Sequence, residues 1–144
     1  MALPPSVVVS FDASVRYAAD NATPVSGAIG FVINEGNETV VEESRPVNVF
    51  VSNVALEYRA LVAASRAVRE RIGRVASAHV RGDADVVIRT VDPGHPATPS
   101  ESLIRRRVDR IRANLADVPD ISYRAVDGSR NRRAHRLARA GHPE

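Results

Sequence analysis

Three carboxylates stand where their side chains could do chemistry. Asp12 closes the apolar run Val7-Val8-Val9-Ser10-Phe11, Glu57 borders the apolar stripe of a helical segment one turn before Leu61, and Asp83 follows Gly82 at the end of a second strand-like stretch. In mixed α/β sheets, ligands bind at the carboxyl edge of the strands. If the strands carrying Asp12 and Asp83 are neighbours, these two acids converge at that edge, and a helix bearing Glu57 can pack over it. Three clustered carboxylates repel one another unless they are protonated or neutralised by a cation. Hard oxygen donors around an open site suit Mg²⁺ or Mn²⁺. Taken singly, each acid also has an ordinary reading. Asp12 can serve a turn, Glu57 can snorkel beside its stripe, and Asp83-Ala84-Asp85 can complement a helix dipole.

The elements that must position these acids follow from the hydrophobic pattern. Val7 to Asp12 reads as a strand, Gly27 to Ile33 as a second, and Thr39 to Val47 as a third, with turn chemistry at Asn34-Glu35-Gly36-Asn37 and Pro46 at a strand end. Asn53 to Ile72 has helical periodicity, with Val54, Tyr58, Leu61, Val62, Ser65, Val68 and Ile72 on one face and Ser52 as a candidate cap. Val75 to Arg81 reads as a fourth strand, and Asp85 to Val91 as a short helix broken by Asp92-Pro93-Gly94-His95-Pro96. Thr98-Pro99-Ser100-Glu101 has the form of a capping box opening a helix to about Leu115, with Ile104, Val108, Ile111 and Leu115 inward. Ile121 to Val126 is a fifth strand, and Asn131 to Ala140 a last helix. A meander feeding parallel crossovers predicts an α/β fold: a five-stranded mixed sheet in the order β-β-β-α-β-α-β-α, helices packed on its faces.

Composition narrows the classes. At 144 residues, with 44% hydrophobic and 26% charged content, the chain is expected to form one globular domain rather than a disordered segment. The absence of Cys excludes disulfides and thiolate chemistry. No apolar run reaches the roughly 20 residues of a membrane helix, and Met1 to Ser10 lacks a basic leader pattern, so a soluble, cytoplasmic monomer with no membrane partner is expected. All 20 basic residues are Arg, 6 of them against 8 acids in residues 1–72 and 14 against 9 acids in residues 73–144. That asymmetry favours a phosphate-bearing partner, because guanidinium matches phosphate oxygens bidentately. Arg106, Arg107, Arg110, Arg130, Arg132 and Arg133 are the candidate contacts. His79 is expected to be a packed core histidine, and His95 and His142 to be inert loop residues.

Four segments in order resemble the type 1 ribonuclease H family, from about Val7 to Gly141. Val8-Val9-Ser10-Phe11-Asp12-Ala13-Ser14 resembles the family's first strand, which ends in Asp-Gly-(Ser/Ala). Ser52-Asn53-Val54-Ala55-Leu56-Glu57-Tyr58-Arg59-Ala60-Leu61 is similar to its Ala-Glu-Tyr-x-Ala-Leu helix start, and Gly82-Asp83-Ala84-Asp85-Val86-Val87-Ile88 to its Gly-Asp-Ser-x-x-Val-Ile segment. Asn131-Arg132-Arg133-Ala134-His135-Arg136-Leu137-Ala138 resembles its closing Asn-x-x-Ala-Asp-x-Leu-Ala. The resemblance implies that Asp12, Glu57 and Asp83 are metal-binding catalytic carboxylates, with Asp12 bridging two Mg²⁺ or Mn²⁺ ions and His135 in the place of the fourth. It implies hydrolysis of the RNA strand of RNA–DNA hybrids, one ion activating water and the other stabilising the leaving 3′-oxygen. It places Ala13, Ser14, Asn53, Arg130, Asn131 and Arg132 against the nucleic acid, with double-stranded RNA as an open second substrate.

The chain departs from that pattern at several points. His135 supplies no negative charge, although some family members carry His there, and imidazole suits Mn²⁺ better than Mg²⁺. Ala13 stands where Gly is common and Ala84 where Ser is common; Val126 to Asn131 lacks the His that often begins the family's final loop, and a separate basic handle is absent. The alternative these departures define is a nucleic-acid-binding module that kept the fold and lost turnover. A third reading, a structural domain with incidental acids, predicts no salt-dependent affinity for any duplex.

Overall fold

The computed structural model describes residues 3–48, 53–95, 99 and 101–143. β1 (Ser6–Tyr17), β2 (Pro24–Glu35) and β3 (Glu38–Val47) form the antiparallel meander, with Gly36 at φ +62° in the tight turn between β2 and β3. That left-handed conformation favours Gly. β1 runs five residues past Asp12, because Ala13, Ser14 and Val15 pair with Ile29, Ala28 and Gly27. β4 (Ser77–Gly82) lies parallel to β1, and β5 (Asp120–Ala125) parallel to β4, completing the order β3-β2-β1-β4-β5. The five-stranded mixed sheet and the order of elements are those expected from the hydrophobic pattern.

α1 (Asn53–Ala67) continues through a π-helical turn, Val68–Ile72. It lies against β1 and β2 on one side and against α3 (Ser102–Asn114) on another. Such a sandwiched helix buries more than one stripe. Leu56, Ala60, Leu61 and Ala64 are all sealed from solvent, while Val54, expected on the buried face, is 45% exposed in the first turn. Small Ala side chains let the helix settle close to the sheet. On the α3 side Asn114 donates to Ser65 Oγ at 3.1 Å. Phe11 and Phe31, cross-strand partners in β1 and β2, share the core with Leu56, Leu61, Ile111 and Leu115. Each such side chain contributes about 1.5–3 kcal/mol through burial.

α2 (Asp85–Val91) is the short helix expected after β4. α3 opens at Ser102 with Glu101 as its flanking residue, so Pro99 stands outside the helix rather than at its first position. Glu101 makes no side-chain cap, and Thr98 and Ser100, like the proposed cap Ser52, lie outside the described residues.

α4 (Arg132–Ala140) covers the other face of the sheet, over β2, β1 and β3. β2 presents Ala28 and Gly30 to it, and α4 answers with the buried Ala134 and Ala138. At Gly30 an added Cβ would stand 2.3 Å from the Ala138 nitrogen and 2.7 Å from the Leu137 carbonyl carbon, both backbone atoms that cannot step aside. Gly30→Ala is therefore expected to cost about 3 kcal/mol through overpacking, read as a large drop in the urea midpoint. An unchanged midpoint would show that α4 is not seated on β2 as described.

Candidate active site

The parallel register that pairs Ser10 with Arg81 sets Asp12 level with Asp83, just beyond the last paired residues of β1 and β4. α1 brings Glu57 over the same edge. One oxygen from each of Asp12, Glu57 and Asp83 lies within 4.8 Å of the other two. Asp12 and Glu57 are buried, at 3% and 4% exposure, whereas Asp83 is part-exposed at the mouth. Asp85 is drawn away into an ion pair with Arg89 at 3.0 Å within α2, leaving Asp83 as that segment's contribution.

The Ala13 backbone N–H donates to Asp12 Oδ1 at 2.9 Å and to Glu57 Oε1 at 3.2 Å, pinning the two carboxylates to one point of the chain. Glu57 Oε2 is buried with no hydrogen-bond partner. Burial first, then the charge of Asp12, a hydrogen bond with Asp12 and the charge of Asp83, push the Glu57 carboxyl up to about 10. Asp83 is raised by burial and by Asp12, with His135 opposing the shift. Held together without a counter-charge, the cluster keeps a proton that water would remove. An orphaned carboxylate oxygen among hard oxygen donors fits a divalent cation of the Mg²⁺ or Mn²⁺ kind.

His135 reaches the cluster through the seating of α4. Asp12 pairs with Gly30 across β1 and β2, and Gly30 meets α4 at Leu137 and Ala138, so His135, less than one turn earlier in the helix, stands near Asp12. His135 Nδ1 is 2.8 Å from Asp12 Oδ2, and the ring is about half exposed. Whenever the Asp12 carboxylate is the acceptor in this pair, Nδ1 carries the hydrogen. The fourth position thus meets Asp12 directly and stands outside the set of three carboxylates that converge on one point.

The other residues singled out in the sequence divide by place. Asn131 is buried, and its amide donates to the Phe11 carbonyl at 2.9 Å, tying the start of α4 to β1 next to Asp12. Ser14 Oγ lies 2.8 Å from His142 Nε2, while His142 Nδ1 lies 2.7 Å from Ser26 Oγ. His142, expected to be inert, is instead a buried tie between β1, β2 and the segment after α4. His79 is not a core residue: Ala78 and Val80 take the inward positions of β4, and His79 is part-exposed, its Nδ1 2.6 Å from Ser122 Oγ. Asn53, Arg130 and Arg132 are exposed. Arg133, a candidate phosphate contact, is exposed and pairs at the surface with Glu42 at 2.6 Å and with Thr39 Oγ1. Sequence reasoning passed over Arg81, which donates to the Arg130 carbonyl at 3.1 Å and steadies the loop before α4. The one available signal was its place two residues before Asp83, on the same side of the strand.

A mixed sheet of this order, with a carboxylate trio at the β1–β4 edge and a closing helix seated on β2, defines a type 1 ribonuclease H-like domain. The solved structures it superposes on make that concrete. Ribonuclease H1 from the halophilic archaeon Halobacterium salinarum is 26% identical, with a TM-score of 0.79 over 94% of this chain and 96% of that one. The N-terminal ribonuclease H domain of a Mycobacterium tuberculosis protein is 21% identical, with a TM-score of 0.81 over 95% and 93%. LC11 ribonuclease H1, solved in complex with an RNA/DNA hybrid, is 20% identical, with a TM-score of 0.76 over 94% and 95%. No family model matches the chain, and no curated protein matches it.

Proposed function

We propose that this chain is a metal-dependent endoribonuclease acting on the RNA strand of RNA–DNA hybrids as a monomer, since one chain supplies every group of the site. The observation that carries the reading is the convergence of Asp12, Glu57 and Asp83 at the carboxyl edge of a ribonuclease H-like sheet. The hybrid held by LC11 ribonuclease H1 supports the choice of substrate. Asp12, Glu57 and Asp83 would hold two Mg²⁺ or Mn²⁺ ions. Once bound, such ions supply an activated water and stabilise the leaving 3′-oxygen. The chain's own groups do the rest. The Ala13 N–H fixes the spacing of Asp12 and Glu57, burial of those two excludes bulk water from the floor, and His135 orients Asp12.

The test is cleavage of an end-labelled hybrid with Mg²⁺ and then Mn²⁺, beside DNA and RNA duplexes of the same sequence. Cutting confined to the RNA strand of the hybrid, and faster with Mn²⁺, is the expected result. Tight hybrid binding with no cutting in either metal would overturn it in favour of a binding module that His135 has silenced.

A further inference from the structure

On the side of α1 away from the carboxylates, the surface is concave and strongly basic. Two adjoining hollows of about 390 and 350 Å³ lie along the seam of β3, α1 and α3, sharing Val62, Arg66 and Arg107. Their walls carry Arg45, Arg59, Arg66, Arg106, Arg107 and Arg110, and among the described residues lining them none is acidic. Burial and the neighbouring Arg59 charge lower the Arg107 pKa, so these cations crowd one another. Arg107 also donates to the Ala55 carbonyl at 2.6 Å, two residues before Glu57, so the basic surface begins at the end of α1 that carries the active site. At its far end a third hollow takes in Glu43 and Glu70, and the unmixed positive lining stops there.

We propose that this groove holds the phosphodiester backbone of a single-stranded nucleic-acid segment running on from the hybrid in the active site. The inference rests on the proposed hybrid substrate and extends it to substrates with unpaired ends. From Arg59 to Arg66 the groove follows α1 for about 10 Å, room for one or two nucleotides. A concave track walled on both sides suits one strand, where a duplex would touch only its rims. No aromatic residue lines the hollows among those described, so the track offers charge without stacking, and binding is strongly salt-dependent and indifferent to base sequence. The ion pairs already present do not close it. Arg66 meets Glu70 at 3.1 Å and Arg45 meets Glu43 at 3.9 Å, both exposed pairs of the kind that contribute little.

The experiment compares a blunt hybrid with the same hybrid bearing a short single-stranded tail, by fluorescence anisotropy in EDTA, where nothing is cut. In the wild-type protein the tail is expected to raise affinity about tenfold at low salt, an increment typical of one or two phosphate contacts. The Arg66→Ala/Arg110→Ala variant should lose that gain, its salt slope on the tailed hybrid falling by about 1.4 for two phosphate contacts. The Arg66→Lys/Arg110→Lys variant should retain most of it. Both side chains are exposed, and the blunt hybrid is the reference within each protein. Equal affinity for blunt and tailed hybrids in the wild type, or a gain that survives in the Ala variant, overturns the proposal. So does a groove that captures an acidic polypeptide while ignoring the tail. Loss of all hybrid binding would instead sink the proposed substrate; a single-stranded oligonucleotide alone, compared across the same variants, then decides the groove.

Discussion

Asp12→Asn is expected to lower the rate of hybrid hydrolysis about a thousandfold or more, equivalent to about 4 kcal/mol of transition-state stabilisation, while hybrid binding in EDTA is retained or tightened. Asp12 is the member of the trio that touches every other part of the site. Its carboxylate takes the Ala13 N–H, faces His135, and adds to the charge that raises both Glu57 and Asp83. Asn preserves the shape and can still accept from Ala13, so the fold should not suffer. What disappears is one full negative charge at the point where hard cations would be held. Removing that charge also relieves repulsion toward the phosphates of a bound hybrid, hence the expectation for binding. Single-turnover cleavage in Mg²⁺ and Mn²⁺ gives the rate, and anisotropy gives the binding. A variant within tenfold of the wild-type rate would remove Asp12 from the catalytic machinery and, with it, the proposed mechanism.

The parts of this site that could be read from the sequence are those fixed by local pattern. Val7 to Phe11 and Ala78 to Val80 announce their strands through β-branched and alternating residues, and an acid just beyond each of these runs needs only parallel pairing to converge. That pairing follows from the crossover through α1. The extension of β1 through Ser14 to Tyr17 carries no such pattern, because pairing with the small residues Gly27 and Ala28 decides it. The start of α3 misled for a related reason. Thr98 to Glu101 has a local capping signature, yet the helix begins where Ile104 and Val108 can first reach the core, and Pro99 is left outside it. His142 was beyond reach altogether. Its partners Ser14 and Ser26 lie 128 and 116 residues away in sequence, and only the docking of α4 on Gly30 brings the following segment to them. Arg133 shows the same limit. Its surface partners Thr39 and Glu42 of β3 lie 94 and 91 residues away in sequence, and only the fold sets them beside it.

The metal-free protein should lose stability as pH rises from 7 to 9, and either bound Mn²⁺ or Glu57→Gln should abolish that loss. Glu57 titrates near 4.5 as an ordinary carboxyl and at about 10 in the fold. Between those values the folded state holds a proton that the unfolded state has released. The unfolding free energy therefore falls with pH, its contribution being complete below about 4.5 and gone above about 10. Asp83, also raised, acts in the same direction. His79 and His142, both lowered by burial, act in the opposite direction, but only where the unfolded imidazoles titrate near 6.5, which is why the slope is read above pH 7. Gln at position 57 copies the protonated acid: its carbonyl can take the Ala13 N–H, and its amide can donate to Asp12. That variant should be the more stable protein at pH 8 without metal, by several kcal/mol on those values, and should lose the further stabilisation that Mn²⁺ confers on the wild type. Melting temperatures across pH in EDTA and in Mn²⁺ measure both effects. A flat wild-type profile in EDTA, or the same slope in the Gln variant, would mean that Glu57 does not carry the strain of the cluster, and that the cation is not what relieves it.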